Sequence, residues 1–485
     1  MSFPGGSTAL AAAFAAVALF VFPSPSPSPS PSPAPAATGG RTVYVAPGGS
    51  DAGAGTRAAP FRTVQHAVAA LSGAGRAGGT VELRGGRYAQ RVSLRNVSGI
   101  TVTAAPGEHA VLDGSSLTVP PGGRSAMVTI ADSTRVTVRG LDITGYRTDD
   151  VNAMPIGIYV HGGDDGVRIT GNHVHDLGNH NGTRGSMDMN AHGIAVYGDS
   201  AAHSVRNLSI DGNEVDHLTL GASESVVVNG NVDGWRITGN RIHDNNNIGI
   251  DAIGYEPTLP ARYRYTDLNR ARNGYIGSNR VERIISEGNP AYYSDGAYCN
   301  CADGIYVDGG THIVIADNTA LRDDIGIEVA AENPRGAADH VTVRDNQVRY
   351  SRFVGITTGG YCDGKEDCGG VQTGRSFDNV FTGNALRDNN TDHDGSPEFL
   401  IQYHESGNRI TGNTVCAAGG GVLLLGTVAR SDSGRGDTVD HNTYAAVGGT
   451  ARGMQWGWHG TTYTGWAAFR SGTGLDAHSV LRPHC

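Results

Sequence analysis

Gly304-Ile305-Tyr306-Val307-Asp308-Gly309 is followed, 22 residues later, by Gly326-Ile327-Glu328-Val329-Ala330-Ala331. The two are copies of one local design: a glycine and then a short apolar alternation. In a strand, successive side chains face opposite sides. Ile305, Val307, Ile327 and Val329 therefore point one way, and Tyr306, Asp308, Glu328 and Ala330 point the other. Two carboxylates thus fall on the outer face of strands that follow one another in the chain.

The same row recurs along the protein, at residues 157–161, 193–197, 225–229, 249–253, 355–359 and 421–425, with a looser copy at 399–405. Its second residue is Ile or Val throughout, which makes a column of core side chains if the rows stack. Its third residue runs Tyr159, Ala195, Val227, Asp251, Tyr306, Glu328, Thr357, Leu423, and its fifth runs His161, Tyr197, Asn229, Ile253, Asp308, Ala330, Gly359, Leu425. The outer face is neutral at its far end and carboxylate-rich in the middle.

A second register runs in step with the first. Asn172, Asn213, Asn240, Asn279, Asn318, Asn346, Asn384, Asn413 and Asn442 each follow an apolar-x-x triplet, at spacings of 41, 27, 39, 39, 28, 38, 29 and 29 residues. A coil of about 28 residues with insertions in some turns accounts for these steps. Asparagine tolerates a left-handed corner and stacks on its copies above and below, so these residues read as structural. The expected fold is all-β: one right-handed parallel β-helix over residues 41–448, of roughly ten to twelve coils. A helix over Phe61–Leu71, with Phe61, Val64, Val68 and Leu71 on one face, would plug its first coil. The aromatic-rich residues 449–485 would close the other end.

Residues 1–22 contain an apolar run shorter than a transmembrane helix, which fits a signal-peptide-like segment without stable membrane insertion. Residues 23–40 alternate Pro with Ser or Ala, as an extended linker does. Together they predict a secreted protein, with tethering to wall or membrane through the N-terminal segment as the variant. The 72 glycines lack a Gly-X-Y period and suit a chain full of corners. A formal net charge of −10 argues against nucleic acid as partner. The six cysteines read as disulfides, with Cys362–Cys368 favoured and Cys416–Cys485 closing the C-terminal end.

Val43-Tyr44-Val45-Ala46-Pro47-Gly48-Gly49-Ser50-Asp51, the Ala59-Pro60-Phe61 helix start and the asparagine register resemble the secreted right-handed β-helix superfamily of carbohydrate-active proteins, over about residues 41–480. The resemblance implies an extracellular polysaccharide as partner and a monomeric chain. The ordered motifs of polygalacturonase-type glycosidases and the mannuronan-epimerase motif are missing. Lyases of the superfamily use a Lys or Arg base, often with Ca2+, and the one lysine, Lys365, lies away from the acids in sequence.

Asp251, Asp308 and Glu328 are therefore the candidate catalytic residues of a glycoside hydrolase, because glycosidic hydrolysis needs one protonated and one ionised carboxyl. Tyr306, Asn229, His161, Tyr197, Glu256, Glu332 and His192 are the candidate substrate-binding residues, with Tyr159, Tyr255, Tyr361, Asn231, Asn246 and residues 402–405 on the same face. Individually each of these is better explained as a plain surface or ladder residue. Insertions at 173–193 and 255–303 are expected to wall a groove. The alternatives are a Ca2+-dependent lyase acting on a uronate-containing glycan, whose acids would be metal ligands, and a non-catalytic glycan-binding β-helix, which would not concentrate acids in one place.

Overall fold

Ile305 pairs with Ile327 and Tyr306 with Glu328 between the parallel strands Asp303–Asp308 and Ile325–Ala330. Ile250 and Asp251 pair in turn with Ile305 and Tyr306. The outward column Val227, Asp251, Tyr306, Glu328, Thr357 and the inward column Val226, Ile250, Ile305, Ile327, Ile356 follow from these registers. The inward column is fully buried, Ile305 and Ile327 included.

The computed structural model describes residues 40–72, 78–294, 296–360, 374–417, 423–428, 433–446 and 453–485. The signal-peptide-like segment, the linker up to residue 39, Tyr361 and the Cys362–Cys368 loop with Lys365 lie outside the described residues. Residues 40–485 form one compact unit. Its strands fall into three long sheets of 16, 13 and 13 strands, parallel except for a closing hairpin. This is a right-handed parallel β-helix with twelve complete three-strand coils among the described residues, within the expected ten to twelve. Arg41–Val45 at the start and Val480–Leu481 at the finish each add a single strand beyond the complete coils.

The ladder asparagines are buried and continuous. Asn318 Oδ1 accepts from the backbone N–H (2.9 Å) and Nδ2 (3.0 Å) of Asn279, while its own Nδ2 donates to Ile276 O (3.0 Å) and Asn346 Oδ1 (3.0 Å). One expectation is corrected here. The left-handed residue is not the asparagine but the residue before it: Gly171, Gly212, Gly239, Ser278, Asp317, Asp345, Gly383, Gly412 or His441, all with φ between 56° and 73°. That residue makes the corner, and the asparagine after it turns inward, where its amide satisfies backbone groups of the adjacent coils. The Gly, Ser, Asp or His before each asparagine is thereby explained.

The first coil is covered by the helix Val64–Leu71, which buries Val64, Ala67, Val68 and Leu71. It starts three residues later than expected. Thr63 caps it by accepting from His66 N, and Asp51 holds the entry by accepting from the N–H groups of Arg62 and Thr63 (2.9 Å each). Phe61 is buried as a bridge to Val45 instead of lying on the helix. At the far end, the antiparallel pair Gln455–Trp458 and Thr461–Thr464 leads into the helix Trp466–Thr473. There Trp456 stacks on Phe469 at 5.6 Å and meets Tyr444 edge-on at 5.5 Å. Cys416 is bonded to Cys485, as expected, and Cys299 to Cys301.

Candidate active site

The first residue of each row is small for a steric reason. A Cβ on Gly157, Gly249 or Gly304 would lie 2.5, 2.5 and 2.8 Å from the carbonyl oxygen of Gly193, Gly304 and Gly326, each the equivalent glycine of the next coil. The close approach bends the chain into the strand. The residue just before the glycine, which strict alternation would send inward, turns to the outer face. Glu224, Ile248, Asp303 and Ile325 hold this position and form a third column beside the two read from the sequence.

Together these columns floor a groove of about 820 Å³. Both insertions wall it as expected: Met187 and Asn190 from the first, and Glu256, Tyr292, Asn300 and Cys301 from the second. The second insertion is pinned by Asp324, whose Oδ2 accepts from the Ser286 N–H (2.7 Å) and hydroxyl (2.5 Å), and by Asn289, which donates to Gly221 O and Asn246 O (2.8 Å each).

Seven carboxyl groups line the groove: Glu224, Asp251, Glu256, Asp303, Asp308, Glu328 and Glu332. Arg124 is the one basic side chain among the described lining residues, and its guanidinium lies 3.9 Å over the Tyr197 ring. The acids face outward yet are scarcely exposed, at 2% for Asp251, 3% for Asp303, 5% for Asp308, 6% for Glu328 and 8% for Glu224. Burial disfavours the charged form, and the neighbouring acids add to it. Burial, then Glu224 and Asp308, push Asp251 well up. Burial and then Glu332 do the same to Asp308, opposed by the Glu332 N–H donating to Asp308 Oδ1 at 2.6 Å. Burial raises Glu224 to about 8 and Glu328 to about 7. Burial and then Glu328 raise Asp303 well above its ordinary value, whereas Asp303 works against the rise that burial gives Glu328, so of the two Asp303 holds its proton more firmly. Glu332 stands at the rim with its side chain exposed; desolvation by the walls, then Glu256, raise it, and open solvent limits that rise. Asp251 Oδ1, Asp303 Oδ1 and Glu328 Oε1 are buried without a hydrogen-bond partner.

Of the residues expected here, Asp251, Asp308, Glu328, Tyr306, Asn229, Tyr197, Glu256, Glu332 and Gln402 line the groove. His161 does not: it lies 3.5 Å from Asp199 and stacks on Tyr159 at 4.6 Å. His192 is fully buried behind Tyr197, with Nδ1 3.2 Å from Glu224 O and Nε2 3.3 Å from the Tyr197 hydroxyl; burial lowers it to about 3. Asn231, Asn246 and Glu405 serve the backbone and corners, and Tyr255 packs under Arg270 at 5.1 Å. Glu224, Asp303, Arg124 and Tyr292 were not among the expected site residues. The signal for the first two was present: each precedes the small residue that opens a row.

No family model matches the chain. It is 35% identical over 447 residues to the uncharacterized protein YwoF of Bacillus subtilis (strain 168), covering 91% of this chain and 87% of that protein. The chain belongs to the YwoF family. This YwoF-family chain is also 29% identical over 123 residues to pectate lyase PEL9 of Emericella nidulans, a stretch covering 24% of this chain and 29% of that enzyme. Among solved structures it is similar to a mutant tailspike protein of E. coli bacteriophage HK620 in complex with a pentasaccharide. The TM-score there is 0.51 at 12% identity, over 86% of this chain and 62% of the tailspike chain, a likeness of fold. Among the described residues of this YwoF-family chain, no helix is long and apolar enough to cross a membrane.

Proposed function

We propose that this protein is a secreted polysaccharide-degrading enzyme, a glycoside hydrolase whose groove acids cleave the glycosidic bond. The observation that carries the reading is the gathering of Asp303, Asp308 and Glu328, all nearly sealed from solvent, on two directly paired strands at the groove floor. Glu328, held near 7, is the general acid that protonates the leaving oxygen. Asp308 is the base or nucleophile in its ionised form: burial and then Glu332 raise it, and the Glu332 N–H on its Oδ1 opposes that rise. Asp251, when ionised, raises Asp303 further and so helps keep Asp303 protonated beside Glu328. Tyr306 stands between Asp251 and Glu328 in the outward column, and Tyr197 lines the groove under the Arg124 guanidinium, so both border the space a sugar would fill. The groove suits a chain of sugars, and the tailspike of like fold holds a pentasaccharide.

The 123-residue likeness to a pectate lyase favours one second reading, Ca2+-dependent lysis of a uronate-containing glycan. The all-oxygen donor set and the unpartnered oxygens of Asp251, Asp303 and Glu328 fit that ion. These three residues would hold it, and it would supply charge to neutralise a uronate carboxylate. Arg124 is the available base. Against this, among the described residues, the side-chain groups gathered closely enough to ligate a metal lie outside the groove. A glycan panel assayed for new reducing ends and for the ultraviolet absorbance of unsaturated uronides separates the readings. Reducing ends without absorbance support hydrolysis, absorbance that needs Ca2+ supports lysis, and binding without either leaves a glycan-binding β-helix.

A further inference from the structure

The third sheet, which does not contribute the groove floor, carries a stripe of histidine and carboxylate side chains across four consecutive coils. It is built on strand alternation. His173 and His175 flank the buried Val174, so both imidazoles leave one face of the strand His173–His175 and stack at 4.0 Å. The registers place Asp142 beside His173 on one side and Glu214 on the other, with Asp216 beside His175 and His243 beyond it.

Each of two histidines is oriented in the same way. His175 Nδ1 lies 2.7 Å from Asp176 Oδ2, which leaves Nε2 facing Asp142 Oδ1 at 3.0 Å. His243 Nδ1 lies 2.6 Å from Asp244 Oδ2, which leaves Nε2 facing Glu214 Oε1 at 3.1 Å. Asp176 and Asp244 are left-handed corner residues, with φ of 51° and 56°, and that backbone turns each carboxylate back onto the preceding imidazole. A carboxylate on one ring nitrogen, fixing the tautomer and aiming the other nitrogen, is the outer-shell arrangement of a metal-bound histidine.

We propose that the triads Asp142/His173/His175 and Glu214/Asp216/His243 are two Zn2+ sites stacked on the outside of the solenoid. Within each triad the ligating atoms lie within 4.8 Å of one another, and closing them onto an ion at about 2.0–2.2 Å exchanges the contacts they now make, His173 Nε2 to Asp216 Oδ1 (2.6 Å) and His109 Nε2 to Asp142 Oδ2 (2.9 Å) among them. Mixed imidazole and carboxylate donors select Zn2+ over Ca2+ or Mg2+, which take oxygen. Three protein ligands leave a fourth position for water, and His173, with a side chain 38% exposed, keeps the first site open to solvent. Each ion would tie neighbouring coils together across the sheet.

The full chain, stripped with chelator and dialysed, is titrated with Zn2+ and separately with Ca2+ by calorimetry, and with Co2+ by visible absorption. Saturable Zn2+ binding, weak or no Ca2+ binding and a Co2+ spectrum of low coordination number are expected. His175→Gln and His243→Gln should each remove one equivalent, and the double variant both. Asp176→Asn, at a side chain half-exposed on a corner, should weaken the first site about 10- to 100-fold without touching the fold, so it serves if a histidine variant misfolds. Zn2+ uptake unchanged in the double variant, unchanged affinity in Asp176→Asn, or no saturable binding by the wild-type chain would overturn the assignment.

Discussion

At the scale of single residues, the groove acids set the pH behaviour of the reaction. Glu328 must carry its proton to act as an acid, and burial holds it to about 7. Activity should therefore fall as pH rises past about 7, the side on which the proton is lost. Glu328→Gln and Asp308→Asn keep shape and remove the acid chemistry. Each should lose about 100- to 10,000-fold in kcat on an identified glycan while its thermal unfolding stays near wild type. Retained turnover in both would dismiss the assignment. The columns that hold Asp251, Asp308 and Glu328 were legible because alternation within a strand is strict. Glu224 and Asp303 were not, because the bend at the following small residue reverses the side they would otherwise face. His161 and His192 share the alternation of the site, yet one is taken by Asp199 and the other is sealed behind Tyr197. Sequence spacing carries no information on such lateral partners.

A second residue governs stability. Glu398 is fully buried and ends a corner ladder, accepting from Asn389 N at 3.0 Å and Asn389 Nδ2 at 2.6 Å. Burial raises it from 4.5 to about 8, so the folded state holds a proton that the unfolded chain has released. Its contribution is complete below pH 4.5 and is lost progressively as pH rises to about 8. The midpoint of chemical unfolding should fall between pH 5 and 9, and Glu398→Gln should flatten that fall, since its amide does not ionise.

At the scale of the element, each coil is held by a stacked apolar column and a stacked amide column. Ile327→Ala removes a buried side chain between Ile305 and Ile356, and should cost on the order of 2–5 kcal/mol by denaturant titration. Asn318→Ala leaves Asn279 N and the Ile276 carbonyl without their ladder partner, at about 1–3 kcal/mol each. If Asn318→Ala were as stable as wild type, the ladder would be an ornament of the corners and not their support. Both columns were legible because they repeat with the coil. The assignment of the left-handed corner was one residue out, because asparagine and the residue before it both favour that backbone and only the hydrogen bonds separate them.

At the scale of the molecule, a solenoid is a row of coils that each touch only their neighbours, so damage at one end should stay there. The last coils make a direct test. Cys416, buried on the third sheet, is bonded to Cys485 across 69 residues that include the closing hairpin, the helix Trp466–Thr473 and the strand Val480–Leu481. Closing a loop of that length restricts the unfolded chain by about 4 kcal/mol. Cys485→Ser should release this constraint while the Trp456–Phe469 stack still covers the end. Hydrogen exchange should then quicken in the strands Thr443–Ala446 and Gln455–Trp458, and stay at wild-type rates in Asp303–Asp308 and Ile325–Ala330, many coils away. Glycan turnover, which depends on those distant strands, should be unchanged at moderate temperature. Faster exchange spreading into the groove strands would mean that the coils unfold as one cooperative body, and that the C-terminal closure is part of what holds the acids in place.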